Sequence, residues 1–249
     1  MVTDWLTCTC ATHVIPEGQG VLDDLQRYIT KKPMRVLGYG NVRGVDMVKF
    51  SRRPEVIEQA NVLRKEGMFT FIFVGRIVGD KGINELVMAF CKLNQRYPNT
   101  RLYLVGSYES DLDPVRLDIL DTINTDPAIE AVGSKSANDL LAYYVASDCF
   151  VFPSYREGFP NTVLEAGAMG LPCIVTDING SREIIENNKN GMIIPSKNVD
   201  ALYNAMKQML LNREQTQQFI ANARPMIEAR FEQGFVRKCL YEFYEEIIN

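Results

Sequence analysis

Short apolar runs alternate with amphipathic stretches along the chain from about residue 69 onward. This alternation is typical of a parallel β-sheet with helices on both faces, because buried strands are apolar throughout while each helix keeps a polar side. The strands that this pattern predicts are Thr70–Gly75, Arg101–Gly106, Ile129–Gly133, Cys149–Pro153, Pro172–Thr176 and Gly191–Ile194. Several of them end at a glycine or proline, where the chain is expected to turn. We therefore predict an α/β fold with a Rossmann-like parallel sheet.

Between these strands, apolar residues recur at helical spacing and predict helices. The clearest helix ends at Tyr97-Pro98-Asn99 and carries apolar residues along one helical face. These apolar residues are Ile83, Leu86, Val87, Phe90 and Leu93. Ser136 and Asp139 have the spacing of a capping box, which predicts a helix through Tyr144.

The two ends of the chain differ from this alternating region. Beyond about residue 200 the sequence predicts successive helices with breaks at Pro225 and Gly234. In the first 50 residues it predicts a helix at Gln19–Ile29, and a strand with a turn over residues 34–46. These 50 residues are too few for an independent domain.

Composition and charge narrow the classes of function. The chain has 249 residues, enough for a sizeable core, and its net charge of −4 argues against a protein that depends on nucleic-acid phosphates. Its 6 cysteines form no Cys-x-x-Cys pair, and with 1 histidine we expect no metal site. The sequence shows neither a long apolar run nor a secretion signal, so we expect a cytoplasmic protein with reduced thiols.

The most informative stretch runs from Arg156 to Asp177, between two predicted strands. It carries Glu157 and Glu165, with Gly158 and Pro160 between them. Proline suits the start of a helix, and the N–H groups at a helix start bind anions. A nucleotide sugar matches this arrangement, because its diphosphate accepts hydrogen bonds while its hydroxyls donate them to carboxylates. The alternative is an ordinary helix start with acidic residues in its first turns.

A second candidate cluster follows the first predicted strand. Gly75 opens a loop that carries Arg76 and Lys81 at the carboxyl end of that strand, where open parallel sheets bind ligands. Two cations there would neutralise a diphosphate, arginine as a planar fork and lysine as a mobile point charge. A solvated basic loop is the alternative when this loop is taken alone.

These motifs together resemble the carboxyl-terminal domain of family-four retaining glycosyltransferases of the GT-B fold. Five motifs carry this resemblance, and they occur in order along the chain. They are Gly-Val-Asp-x-x-x-Phe at 44–50, Val-Gly-Arg…Lys-Gly at 74–82, Leu-Val-Gly at 104–106, Ser-Asp-Cys-Phe-Val-Phe-Pro-Ser at 147–154 and the stretch from Glu157 to Gly191. It implies one half of a GT-B fold. Residues 51–249 would bind the nucleotide-sugar donor, and residues 1–50 would be a remnant of the acceptor domain with the interdomain linker.

The resemblance also implies a role for each site residue. Arg76, Lys81 and Glu157 would act in catalysis by holding the diphosphate and the donor sugar, and Glu165 would bind the ribose hydroxyls. The other implied donor-binding residues are Gly75, Gly133, Lys135, Phe159, Asn161 and Thr162, of which Gly133 and Lys135 would line the base. The implied reaction transfers sugar to a glycan or lipid-linked acceptor in bacterial surface polysaccharide synthesis. It would retain the anomeric configuration and need no metal or other cofactor.

One departure from the family is large, because only the last strand and helix of the acceptor domain are recognisable. We expect an expression fragment rather than a naturally split protein or a remnant, with little transfer by this chain alone. The last helix would then leave Phe235, Leu240, Phe243 and Tyr244 exposed or self-associated. Peripheral association with a membrane is expected only of a full-length protein.

One motif imitates a metal site of a different glycosyltransferase fold. Asp111-Leu-Asp113 has the Asp-x-Asp pattern. Asp113 stands before Pro114, however, so the pair is more simply explained as the N-cap and first-turn proline of a helix.

Other enzyme classes fit the residues less well. A glycoside hydrolase would use Glu157 and Glu165 as its paired carboxylates but would leave Arg76 and Lys81 without a role. A dinucleotide-dependent oxidoreductase needs Gly-x-Gly-x-x-Gly after the first strand, whereas the glycines here stand at positions 75, 79 and 82. A sugar-nucleotide 2-epimerase of the same architecture and a non-catalytic nucleotide-sugar-binding subunit stay open as alternatives.

Overall fold

The computed structural model describes residues 2–109 and 113–248, and its centre is a parallel β-sheet. Within the described residues the sheet has 6 strands in the order β3-β2-β1-β4-β5-β6. The strands are β1 Phe69–Val74, β2 Thr100–Val105, β3 Ile129–Gly133, β4 Cys149–Phe152, β5 Cys173–Thr176 and β6 Gly191–Ile194. All six predicted strands are confirmed, and each predicted end lies within about one residue of the observed end.

The order of the strands reverses between β1 and β4. The chain adds β2 and β3 on one side of β1, then crosses over and adds β4, β5 and β6 on the other. Connections between parallel strands are right-handed, so the helices before and after this crossover lie on opposite faces of the sheet. Such a reversal leaves a crevice at the carboxyl ends of β1 and β4, where open sheets bind ligands.

Strand β1 lies at the centre of the core and is apolar except for the buried Thr70. It pairs with β2 from Phe69–Thr100 to Val74–Val105, and with β4 at Phe71–Cys149. Each fully buried side chain of this kind contributes about 1.5–3 kcal/mol through burial. This burial fixes the register of β1, and therefore the position of the loop at its carboxyl end.

Helices cover both faces of the sheet. They are α1 Val2–Cys10, α2 Gln19–Tyr28, α3 Pro54–Leu63, α4 Ile83–Arg96, α5 Leu117–Thr125, α6 Ala137–Ala146, α7 Asn161–Ala168, α8 Ser181–Ile184, α9 Val199–Leu211, α10 Arg213–Phe231 and α11 Gln233–Ile248. The predicted helices at α2, α4 and α6 are confirmed, and Ser136 caps α6 by accepting the Asp139 N–H at 3.2 Å. Within the described residues, no helix is long and apolar enough to cross a membrane.

The predicted breaks near the carboxyl end are wrong in position. Pro225 lies inside α10, which continues to Phe231, and Gly234 lies in the first turn of α11. Helix α10 buries a stripe of side chains against the domain, and this packing outweighs the local effect of a proline. The chain instead turns at Glu232.

Two predictions near turns are also wrong. No strand forms over residues 34–46, where Met34 makes a single bridge to Val14 and a series of turns follows. Gly40 and Asn41 have φ angles of 91° and 56°, which an extended strand does not allow. Asp113 does not cap a helix, because α5 begins at Leu117, and Asp111 lies outside the described residues.

The apolar face of α11 is more covered than the sequence indicated. Phe243 is buried, and its ring lies 5.8 Å from the His13 ring and 4.9 Å from the Arg35 guanidinium carbon. Phe235 packs against Tyr39, with ring centroids 6.1 Å apart, whereas Tyr244 stays 46% exposed. The expectation of an exposed face is therefore wrong for Phe243, because the amino-terminal segment covers it.

Arg224 fastens the amino-terminal segment to the end of α7. Its guanidinium donates to the carbonyl oxygens of Phe50 and Ala168, each at 2.6 Å, and to that of Met47 at 2.8 Å. Hydrogen bonds from a charged donor contribute about 1.5–3 kcal/mol each. Arg224 therefore helps to hold residues 47–50 beside the helix that carries Glu165.

Candidate functional site

An ion pair joins the loops that follow β1 and β4. Lys81 Nζ lies 2.5 Å from Glu157 Oε1, and the two side chains are 12% and 17% exposed. The hydroxyl of Ser154 donates a hydrogen bond of 2.9 Å to the same Glu157 oxygen. Removal of either charge from a mostly buried pair would leave the other uncompensated. The structure thus brings two of the three predicted catalytic residues into direct contact.

Arg76 lies on the same loop as Lys81 but has a different partner. Its Nη1 atom donates to Glu109 Oε2 at 2.9 Å, and these side chains are 44% and 37% exposed. The Glu109 carboxylate raises the pKa of Arg76, and the charges of Asp80 and Glu157 add to this effect. Ion pairs this exposed contribute only about 0–1 kcal/mol. A ligand anion therefore has little energy to overcome in drawing Arg76 away from Glu109.

Hydrogen bonds fix the two loops against each other. The Tyr155 N–H donates to the Asp80 carbonyl oxygen at 2.8 Å, and Ser154 Oγ lies 3.3 Å from that oxygen. Gly82 has a φ of 71°, and a side chain there would strike the backbone of Pro153. Only glycine suits this position. The frame around the Lys81–Glu157 pair is thus built into the fold.

Helix α7 begins directly after the Glu157 loop. Pro160 is its N-cap and provides no side-chain hydrogen bond, and Asn161 is its first residue. The predicted helix start is confirmed, with the proline just before the first turn rather than inside it. Phe159 anchors the loop by packing on Phe231, with ring centroids 5.6 Å apart, while Thr162 is half-buried in the first turn. Backbone N–H groups at such a start favour an anion.

Glu165 opens onto a cavity of about 160 Å³ between α7 and the segment before α3. Arg43 and Lys49 also line this cavity, and the Tyr144 hydroxyl donates to Glu165 Oε2 at 3.4 Å. Burial raises the pKa of Glu165, while the charge of Arg43, the Tyr144 hydrogen bond and the charge of Lys49 act in the opposite direction. Among the described residues, no hydrogen bond or ion pair joins Glu165 to Arg76 or Lys81.

The remaining predicted residues lie at the carboxyl ends of β1 and β3. The Gly75 N–H donates to the Val105 carbonyl oxygen at 3.0 Å. Gly133 has a φ of 69°, and no heavy atom lies within 4 Å of the position that a Cβ would take. Lys135 Nζ lies 5.4 Å from the centre of the Tyr143 ring. The space beside the Gly133 backbone is therefore open.

Sequence reasoning missed several residues of this site. Ser154 had a recognisable signal, because it follows a buried strand whose end was predicted. Asn41 had none, since its Nδ2 atom donates to Asn161 Oδ1 at 2.9 Å across a sequence separation of 120 residues. Arg43 and Tyr144 likewise reach Glu165 only through the tertiary fold.

Over residues 2–109 and 113–248, no group of three or more His, Cys, Asp and Glu side chains is arranged to hold a metal ion. The charged side chains of the crevice instead pair with one another.

Comparison with known proteins assigns the chain to a family. The model of the glycosyl transferases group 1 family matches residues 56–226, which include the Lys81 and Glu157 loops and α7. The chain belongs to the group 1 glycosyltransferases. The resemblance drawn from the sequence is thus confirmed.

Curated relatives of this group 1 chain include a capsular polysaccharide biosynthesis glycosyltransferase and a galactosyltransferase. The chain is 27% identical over 243 residues to the capsular polysaccharide biosynthesis glycosyltransferase CapM of Staphylococcus aureus, covering 96% of this chain and 63% of CapM. It is 31% identical over 181 residues to the UDP-Gal:alpha-D-GlcNAc-diphosphoundecaprenol alpha-1,3-galactosyltransferase of Escherichia coli, covering 70% of this chain and 45% of that enzyme. The chain therefore spans less than two thirds of the length of either relative.

Solved structures confirm the fold. Sucrose-phosphate synthase from Thermosynechococcus elongatus matches 99% of this chain and 61% of its own, with a TM-score of 0.86 and 23% identity. HepE from Anabaena, in complex with UDP and glucose, matches 98% of this chain and 66% of its own, with a TM-score of 0.84 and 19% identity. The Rossmann-like sheet is that of GT-B glycosyltransferases.

Proposed function

We propose that this group 1 chain is the donor-binding half of a retaining glycosyltransferase. The enzyme transfers a sugar from a nucleotide-diphosphate sugar to a glycan or lipid-linked acceptor. The observation that carries this proposal is the Lys81–Glu157 pair at the strand-order reversal, next to the start of α7. Cation, carboxylate and helix N–H groups there are complementary to the parts of a sugar diphosphate.

Lys81 has the central role in this proposal. Its ammonium group lies in the crevice and holds a carboxylate, so it is already placed to receive an anion. The diphosphate of the donor replaces Glu157 as its partner, and Arg76 leaves Glu109 to bind the same group. These cations stabilise the negative charge that develops on the leaving nucleotide.

Glu157 is released when Lys81 changes partner. A carboxylate that has lost its cation accepts hydrogen bonds from sugar hydroxyls, which are the donors nearest to a bound diphosphate. We assign Glu157 to the donor sugar for this reason. Glu165 binds the ribose hydroxyls, because it is a half-buried carboxylate facing a cavity one helical turn into α7.

Retention of configuration and a lipid-linked acceptor are supported by names among the relatives. The Escherichia coli relative is named for UDP-Gal as donor and for an α-1,3 linkage to a diphosphoundecaprenol-linked sugar. UDP-galactose is itself α-linked, so that product keeps the configuration of its donor. In our proposal a phosphate oxygen of the donor takes the proton of the acceptor hydroxyl on the same face of the sugar, and no protein nucleophile is needed.

Calorimetry with UDP, GDP and ADP tests the donor site. Lys81→Ala and Glu165→Ala should each weaken binding of the preferred nucleotide by about 10-fold or more, since each removes an interaction with a charged group. Glu58→Gln, on an exposed position of α3, is the matched control and should bind like the parent. Unchanged affinity in the Lys81 variant would show that the diphosphate lies elsewhere.

A second measurement separates an enzyme from a binding subunit. The chain, alone and fused to the part of CapM that it does not match, is incubated with donor and acceptor, with and without EDTA. Transfer that survives EDTA supports a metal-independent glycosyltransferase, and an α-linked product by NMR supports retention. Nucleotide binding without turnover would favour the non-catalytic subunit, and formation of a 2-epimer would favour the epimerase.

A further inference from the structure

The carboxylate of Glu183 stands at the start of a helix to which it does not belong. Helix α2 begins at Gln19, and its N-cap, Gly18, has no side chain to accept the first N–H groups. Glu183 Oε2 accepts the Gln19 N–H at 2.6 Å, and Oε1 accepts the Gly20 N–H at 3.1 Å. A negative charge is favourable at this end of a helix. The donor domain thus supplies the cap of α2 from 163 residues away.

The same carboxylate also holds a turn of the donor domain. Glu183 Oε1 accepts the N–H of Gly180 at 3.2 Å. Gly180 has a φ of 72°, and a Cβ there would lie 2.5 Å from the Gly158 carbonyl oxygen and 2.7 Å from Phe159 Cα. Its backbone therefore packs directly on the loop that carries Glu157. The Glu183 carboxylate therefore accepts hydrogen bonds both from α2 and from the turn that supports this loop.

Further contacts tie the amino-terminal segment to the same region. Asn179 Nδ2 donates to Asp24 Oδ2 at 2.8 Å, one turn further along α2. The Asn41 N–H donates to the Glu17 carbonyl oxygen at 2.6 Å, and the Asn41 side chain bonds to Asn161 at the start of α7. Residues 17–24 and 41 thus meet the donor loop from one side. Among the described residues, Glu183 is the one whose carboxylate accepts backbone N–H groups of both α2 and the Gly180 turn.

We propose that Glu183 is a positioning residue that couples α2 of the amino-terminal segment to the Glu157 loop of the donor site. The proposal rests on the proposed function in one respect, namely that this loop binds the donor. Glu183 itself touches no part of the donor. It holds the Gly180 turn, which supports Gly158 and Phe159, and the same carboxylate accepts the first N–H groups of α2.

Hydrogen–deuterium exchange of the full chain tests this coupling without any nucleotide. Glu183→Gln keeps the size of the side chain, but removes its charge and replaces one acceptor oxygen with a donor. We expect faster exchange, by about 10-fold, in two separate peptides, one over residues 17–28 and one over residues 155–165. The exposed variant Glu58→Gln is the control and should leave both peptides unchanged.

A double variant separates coupling from simple capping. Gly18 is extended, with a φ of −166°, so a serine fits there once the Glu183 carboxylate is gone. Gly18→Ser in a Glu183→Ala background gives α2 its own cap. We expect this variant to restore slow exchange in residues 17–28 but not in residues 155–165, and to bind UDP about 3- to 10-fold more weakly than the parent.

The outcomes are distinct. Full restoration of both peptides and of UDP affinity by Gly18→Ser would overturn the proposal, because Glu183 would then be only a cap. Unchanged exchange over residues 155–165 in Glu183→Gln would overturn it as well. If the parent chain binds no nucleotide, the proposed donor site fails, while the exchange of the two peptides still decides the coupling.

Discussion

Replacement of Glu157 by glutamine should strengthen the binding of UDP, although Glu157 belongs to the candidate site. UDP lacks the donor sugar, so it makes none of the contacts that we assign to Glu157. It does require Lys81, which Glu157 holds at 2.5 Å in the absence of a ligand. The carboxylate therefore competes with the diphosphate for one ammonium group, and a neutral amide competes less well.

The size of the effect follows from the burial of the pair. Hydrogen bonds that involve a charged group contribute about 1.5–3 kcal/mol, and exposed ion pairs about 0–1 kcal/mol. The side chains of Lys81 and Glu157 are 12% and 17% exposed, which places the pair near the lower end of the first range. Glu157 also keeps its bond to Ser154 after Lys81 has left. We take about 1–2 kcal/mol, which corresponds to about 5- to 30-fold tighter binding of UDP.

Titration calorimetry at constant pH and salt measures this change. Glu109→Gln is the matched control, because it releases Arg76 from a pair whose side chains are 44% and 37% exposed. Its effect on UDP affinity should stay below about 2-fold, as for surface ion pairs generally. Weaker binding of UDP by Glu157→Gln, of the size seen for Lys81→Ala, would refute the competition and make Glu157 a direct ligand of the nucleotide.

Three further predictions concern stability and reactivity. Burial raises the pKa of Glu165, so this group's contribution to stability is present below its ordinary pKa of 4.5 and is lost as the pH rises through the raised value. The Tm of Glu165→Gln should therefore rise relative to that of the parent between pH 4 and pH 8. A difference in Tm that does not depend on pH would contradict this. Arg224→Ala should lower the free energy of unfolding by about 2–4 kcal/mol in a urea titration, because it leaves three backbone carbonyl oxygens without their donor. The control Arg213→Ala, at an exposed position, should change the free energy of unfolding by less than about 0.5 kcal/mol. Burial and the charge of Asp126 raise the pKa of Cys91 to about 11. Iodoacetamide at pH 8 should therefore label the exposed Cys10 well before Cys91, as measured by peptide mass spectrometry. Equal labelling rates would contradict the burial of Cys91.

Much of the sheet was predictable from local pattern. Strands β1 to β6 are short apolar runs that end at Gly, Pro or polar residues, and burial on both faces leaves such runs few alternatives. The loops at Lys81 and Glu157 were predictable for the same reason, because each directly follows the end of a predicted strand. The errors lie where local and tertiary preferences compete, as at Pro225, where packing continues a helix that the residue type alone would end.

The partners of the candidate site residues were not predictable in this way. No periodicity indicates that Arg76 pairs with Glu109, that Arg43 approaches Glu165, or that Glu183 caps α2. These contacts join residues that are far apart in the sequence, and their geometry depends on how the loops cross at one edge of the sheet.

The amino-acid sequence by itself determined the strands, several of the helices and the charged residues in the loops after β1 and β4, because apolar periodicity and residue chemistry are local properties. The tertiary structure alone decided which charges meet. Strand order places the loops after β1 and β4 side by side, so Lys81 pairs with Glu157. The packing of the amino-terminal segment on the rest of the chain brings Glu183 to the start of α2. Electrostatic contacts act over a few ångströms in space, and only the complete fold sets those distances.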